Sequence, residues 1–161
     1  MDINHIISAL KGQSCWHVSA GGSTWPTFLL ACGEKIPRER ELSNLAQAFE
    51  YRQNRGSVEL LVWCSWRLEL GLLFTASSST EEDSSRPNLE GLIGRSVVNV
   101  TCDCSFGDLK IDFSEGQRLS IFCDILANKD NSLPNWELWE PNNYCRIGPG
   151  NELEIENIEN R

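Results

Sequence analysis

Residues 10–18 read LKGQSCWHV, and residues 92–100 read LIGRSVVNV. Leu10, Gly12, Ser14 and Val18 match Leu92, Gly94, Ser96 and Val100 at a constant offset of 82. Two further blocks follow in the same order in both halves. LLVWC at 60–64 resembles LSIFC at 119–123, and WRL at 66–68 resembles WEL at 136–138. The spacing differs because each half carries its own insertion. The first has a stretch at 34–57 where the second has a tight turn, and the second has a loop at 124–135 where the first has only Ser65.

An internal duplication explains this collinearity better than coincidence. Halves of roughly 75 residues bury their own apolar faces poorly, and two copies packed face to face solve that problem. The expectation is a β-rich α+β fold, one pseudo-symmetric domain over residues 1–161. Its related β halves, 1–75 and 89–161, are joined by a polar linker at 76–88, with one or two helices in the first half. The shared residues then take structural roles. Gly12 and Gly94 turn the chain into a strand, Trp66 and Trp136 become paired core aromatics, and Cys64 and Cys123 are small buried fillers.

Around these blocks the periodicity assigns elements. Ile3, Ile6, Ile7 and Leu10 fall at helical spacing behind Asp2 and before Gly12, which predicts a short amphipathic helix. Gly21-Gly22 separates two strand-like runs and predicts a hairpin, with Pro26 at a strand start or edge. Leu42, Leu45, Ala46 and Phe49 share one helical face, which predicts a helix within 38–55. SVELLVWCSWRLEL, 57–70, reads as one strand buried on both faces. ASSSTEEDSSRPN, 76–88, is polar and Ser-rich without an apolar anchor and reads as a mobile loop. RSVVNVTCDCSF, DLKIDF and QRLSIFCDI are three strands, with the Ser114–Gly116 turn between the last two. WELWEPNNYCRIGPG gives two short strands around a polar turn, and NELEIENIENR a last edge strand.

The chain of 161 residues is 40% hydrophobic and 23% charged, ordinary for a soluble globular protein. Its formal net charge of −9 repels nucleic-acid phosphates and anionic membranes and attracts basic partners. No apolar run approaches the ~18 residues of a membrane span. The N-terminus lacks the charge and apolar pattern of a signal peptide, so a cytoplasmic location is expected. Seven cysteines, an odd number in such a compartment, argue against a disulfide framework.

Few constellations carry chemistry. Cys102 and Cys104 share one strand face and, joined by Cys123, Cys145 or His17, are the weak alternative for a metal site. Buried strand cysteines without metal or cofactor are the preferred reading. His5 and His17 are the chain's histidines, and neither sits in a recognisable nucleophile motif. There is no P-loop, dinucleotide-binding glycine motif, nucleophile elbow or zinc-protease helix motif. The better candidate is NWELWEPNNY, 135–144. Trp139 and Tyr144 have no counterpart in the first half and flank a polar turn with Glu137 and Glu140, the composition of an interface aimed at a basic partner.

CSWRLE and NWELWEPNNYCRIGPG resemble motifs of small bacterial proteins, some of them similar to the immunity proteins that neutralise toxins. The resemblance implies a protein-binding role with a basic toxin domain as partner, and it carries over no catalytic residue. Two other functions stay open at this stage. One is a small-molecule-binding protein or enzyme with a cleft between the halves near Trp16, His17 and the Cys102–Cys104 pair; the other is a homodimeric structural protein.

Overall fold

The computed structural model describes residues 2–103, 105–128, 130 and 132–158. It is β-rich, with few helices and two antiparallel sheets. The chain begins with α1 (Ile3–Ile7), capped by the Asp2 side chain, and a further helical turn through Leu10 buries Ile3, Ile6, Ile7 and Leu10. Then follow β1 (Cys15–Ala20), β2 (Phe28–Pro37), the short α2 (Phe49–Gln53), β3 (Asn54–Val62), β4 (Ser65–Leu70) and β5 (Leu73–Ser77). After α3 (Glu82–Glu90) come β6 (Val97–Cys102), β7 (Leu109–Phe113), β8 (Gln117–Phe122), β9 (Trp136–Trp139), β10 (Asn143–Ile147) and β11 (Leu153–Asn157).

The six-stranded sheet has the order β1-β2-β3-β9-β10-β11, and the five-stranded sheet the order β5-β4-β8-β7-β6. The first sheet therefore joins strands from near both ends of the chain, and the second is built from its middle, residues 65–122. Between them lies one apolar core, in which Trp66 of β4 and Trp136 of β9 are the largest fully buried side chains. Each indole N–H finds a backbone carbonyl, Trp66 at Pro26 (2.9 Å) and Trp136 at Gly107 (2.8 Å), so neither large ring leaves a polar atom stranded.

The repeated segments meet. An antiparallel bridge pairs Ser14 with Ser96, their hydroxyls 2.9 Å apart, and joins the starts of β1 and β6. Around it Gly12 N–H donates to Val97 O (2.8 Å), while Gly94 N–H donates to Cys15 O (2.7 Å). Cys15 N–H donates to Arg95 O (2.9 Å), while Val97 N–H donates to Gln13 O (2.8 Å). Gly12 and Gly94 hold left-handed φ angles of 83° and 87°, the conformation that spares glycine the Cβ clash and turns the chain from helix into strand. Helix α1 packs on β6, and α3 packs on β1.

Three elements differ from the sequence expectations. The helix expected within 38–55 is confined to Phe49–Gln53, and Leu45 and Phe49 are 80% and 64% exposed. The reason is closure. Strands β2 and β3 pair as far as Pro37 with Asn54, so the chain must return to its starting point. A helix through 38–55 would set its ends roughly 25 Å apart. Residues 38–48 instead form an irregular strap, followed by the one and a half turns of α2.

The stretch 57–70 is not one strand. It breaks at Trp63–Cys64 into β3 and β4, which lie in different sheets, and both breaking N–H groups donate to the carbonyl of Asn135 (2.9 and 3.1 Å). It is apolar on both faces because its two parts cover the same core from opposite sides.

The supposed polar linker 76–88 is also ordered. Ser77 ends β5 and residues 82–90 are α3, whose first turn holds Glu82 and Asp83 at the positive end of the helix dipole. Ser85 and Leu89 are buried, Ser85 hydrogen-bonded to Thr80. The apolar anchor, Leu89, lies one residue beyond the segment read as a linker.

Candidate functional site

In β9, alternation turns Trp136 and Leu138 into the core and leaves Glu137 and Trp139 on the outer face of the six-stranded sheet. The neighbouring strands add to that face. Trp139 pairs across with Tyr144 of β10 and Glu59 of β3, and Glu137 with Arg146 and Leu61. The Trp139 and Tyr144 rings lie 5.3 Å apart at 37°. Glu137 locks the group from below. One carboxylate oxygen accepts from the Tyr144 hydroxyl (2.6 Å) and the other from Trp63 Nε1 (3.0 Å). Burial, and then the adjacent Glu137 carboxylate, push the Tyr144 hydroxyl well above its ordinary pKa, so the phenol stays a donor. Glu140 sits in the β9–β10 turn and accepts from the Asn143 side chain and from Asn142 N–H.

Three of the four residues read from the sequence, Glu137, Trp139 and Tyr144, thus form one half-exposed platform, with Glu140 shaping the turn at its end. Trp63 completes the platform and was missed, because in the sequence it looked like part of a continuous core strand. Toward the sheet edge the platform meets β11, where Glu154 forms a bidentate pair with Arg146 (2.8 Å for both contacts) and Glu156 lies opposite Tyr144.

On its other side the platform meets the strap. Two cavities, about 390 and 570 Å³, flank residues 38–48, and Leu29 and Leu42 line both. The smaller one is bounded by Ser19, Gln47, Tyr51, Leu61 and Trp63, and the larger by Arg38, Arg40, Arg55, Glu59 and Trp139. The strap is tied down by Gln47 Nε2 to Ser19 Oγ (2.7 Å), Leu42 N–H to Arg52 O (3.0 Å) and the Arg52–Glu41 ion pair (2.6 Å). Tyr51 of α2 stacks on His17 of β1, with centroids 4.2 Å apart and planes 12° apart, and the Arg38 guanidinium lies 4.8 Å from the Tyr51 ring centroid. The signal for this region in the sequence was the stretch at 34–57, which has no matching segment between the collinear blocks of the second half.

Burial holds His17 below its ordinary pKa, with the Gln47 hydrogen bond opposing and Arg38 reinforcing the shift. Burial and the Glu59 charge push Tyr51 up to about 12. A histidine depressed in the folded state contributes stability that is complete above its unfolded value, near 6.5, and is lost as pH falls from there through its folded value. The urea midpoint is therefore expected to drop between pH 7 and pH 5, and His17→Gln to flatten part of that drop. An unchanged slope in the variant would place the acid sensitivity elsewhere.

Among the described residues the cysteines do not assemble a metal site. Cys15 faces Cys32 across β1 and β2, and the Cys32 thiol is pushed up, first by Cys15 and then by burial. Cys64 is pushed up in the same way, first by Cys123. Burial alone lifts Cys145 to about 12. Such thiols stay protonated and poorly nucleophilic. Cys102 lies in β6, while His17 lies in β1 of the other sheet. The two strands lead in opposite directions from the antiparallel Ser14–Ser96 bridge. Cys104 lies outside the described residues. Among the described residues no three His, Cys, Asp or Glu side chains are grouped to hold a metal ion, and no helix is long and apolar enough to cross a membrane.

No protein-family model, curated protein or solved structure matches the chain.

Proposed function

We propose that this chain is a cytoplasmic protein-binding module of the immunity type. Its contact surface is the outer face of the six-stranded sheet around Trp139 and Tyr144, and its partner is a basic toxin domain. The observation that carries this reading is the locked platform itself. Trp139 and Tyr144 stand half-buried and in contact on a sheet face, and Glu137 holds Tyr144 through one oxygen while its other accepts from Trp63 beside them. Rings fixed before binding lose little entropy when a partner covers them, and aromatic anchors of this kind dominate interface energies. Glu156 opposite Tyr144 and Glu140 in the turn, in a chain of net charge −9, favour approach by a cationic surface.

We further propose that the fold is pseudo-symmetric, two copies of one helix–meander–hairpin unit. The support is reciprocal geometry. In one half a three-strand meander, β1-β2-β3, belongs to one sheet and the hairpin β4-β5 crosses to the other; in the second half β6-β7-β8 and β9-β10 do the same with the sheets exchanged. The four hydrogen bonds around Ser14 and Ser96 exchange in pairs under the offset of 82. What departs from the repeat then marks specialisation. The strap has only the Ser114–Gly116 turn as its counterpart, and it borders the face that carries Trp139.

The test is neutralisation. The chain is co-expressed with a panel of basic bacterial toxin domains, and complexes are measured at low and high salt. Rescue of growth by at least one member is expected. Trp139→Ala and Tyr144→Ala are each expected to cost about 2 kcal/mol, roughly 30-fold in affinity, with the circular dichroism spectrum unchanged. Rescue indifferent to both substitutions, or failure against the whole panel, overturns the reading.

A further inference from the structure

The arginines divide into two groups. Arg52, Arg67, Arg86, Arg95, Arg118 and Arg146 each hold a carboxylate at hydrogen-bond distance. The other described arginines are Arg38, Arg40 and Arg55, and all three line the larger cavity beside the strap. Arg38 has only a loose ion pair with Glu59, at 3.9 Å, and its buried Nη2 has no hydrogen-bond partner among the described residues. Arg40 and Arg55 have no ion pair among the described residues. In a chain with 23 carboxylates, three loosely paired guanidinium groups gathered at one cavity are a departure from how the other arginines are used.

The remaining walls have a different character. Trp139 offers an indole, and Leu29, Ile36, Pro37 and Leu42 offer apolar surface. Glu39 and Glu59 are the lining carboxylates, so the lining carries one net positive charge. The volume, about 570 Å³, lies within the range of small-molecule sites.

We infer that this cavity binds a small planar aromatic anion, its ring system against Trp139 and Leu29 and its carboxylate or other oxyanion on Arg38 and Arg55. An oxyanion neutralises the excess charge and supplies the acceptor that Arg38 Nη2 lacks; guanidinium and oxyanion match as paired donors and acceptors. The strap lies over one side of the bound ring through Leu42. The site shares Trp139 with the proposed contact surface, but its anion recognition rests on Arg38 and Arg55, which that reading does not use.

The probe is 2-naphthoate, titrated into the full chain and followed by calorimetry and tryptophan fluorescence, with neutral 2-naphthamide and inorganic phosphate as controls. One saturable site is expected for naphthoate, with naphthamide and phosphate each weaker by roughly tenfold or more. Arg55→Gln is expected to weaken naphthoate by about tenfold while leaving toxin neutralisation unchanged. Arg38→Gln is expected to do the same, and because Arg38 also donates to Tyr51 O (3.1 Å), Arg55→Gln decides the matter if the Arg38 variant misfolds. Absence of saturation, equal binding of the amide, or an Arg55 variant that binds like the native chain overturns the site.

Discussion

Trp136→Ala is expected to lower folding stability by about 4 kcal/mol, and Trp66→Ala by a similar amount. Both indoles are fully buried between the sheets, Trp66 at 1% and Trp136 at 0% exposure. Truncation removes a large volume from a packed core and also strands a carbonyl, at Pro26 in one case and at Gly107 in the other. If the two halves are copies of one unit, the two losses should be of similar size, because both indoles donate to a carbonyl two residues ahead of a strand, with Trp66 losing in addition its edge contacts to Trp25 and Phe28. Trp139→Ala gives the contrast. Its ring stands half-buried on the outside of the sheet against Tyr144, so about 1 kcal/mol is expected. Urea denaturation of the three variants measures all of this. A loss at Trp139 as large as at Trp136 would make it a core residue and remove it from the contact surface.

That contrast could be anticipated from the chain. Trp136 and Trp139 differ by three residues, so strand alternation puts them on opposite faces, and the repeat assigns only Trp136 a counterpart. The N-terminal helix, the hairpins turning at Gly21-Gly22, Ser114–Gly116 and 140–142, and the strands that flank them were legible for the same reason: local period and local turn residues determine them. What was not legible depends on long-range closure. Leu42, Leu45 and Phe49 have helical spacing, yet the pairing of Pro37 with Asn54 forbids a long helix between them. The break at Trp63 has no Gly or Pro to announce it, since the chain leaves one sheet for the other by bonding to Asn135, more than seventy residues away. Arg38 and Arg40 are near neighbours in the sequence, but only the fold brings Arg55 and Trp139 to the same cavity.

Asn135→Asp is expected to destabilise the protein by about 4 kcal/mol at pH 7, although it changes one group for a near-isostere. Asn135 is 0% exposed and sits where the chain passes between the sheets. Its carbonyl accepts from Trp63 and Cys64 N–H, its own N–H donates to Ile147 O (2.7 Å), Oδ1 accepts from Ile125 N–H (2.9 Å) and Nδ2 donates to Gly148 O (2.8 Å). Aspartate keeps the Ile125 contact but sets a charged oxygen against the Gly148 carbonyl in a site without a paired cation. Its carboxyl should titrate above its unfolded value. The deficit relative to the native chain is therefore full above the folded pKa and narrows as pH falls toward 4, where the protonated acid can donate to Gly148 O. Asn135→Ala, which strands both backbone groups without adding charge, should cost about 3 kcal/mol with no such pH dependence. Because Asn135 also holds the backbone of Trp63, whose indole donates to Glu137, both variants should loosen the Trp139–Tyr144 platform and weaken partner binding even where the fold survives. A loss below about 1 kcal/mol for the aspartate variant would mean that water reaches this crossing and that the platform is held by its own contacts alone.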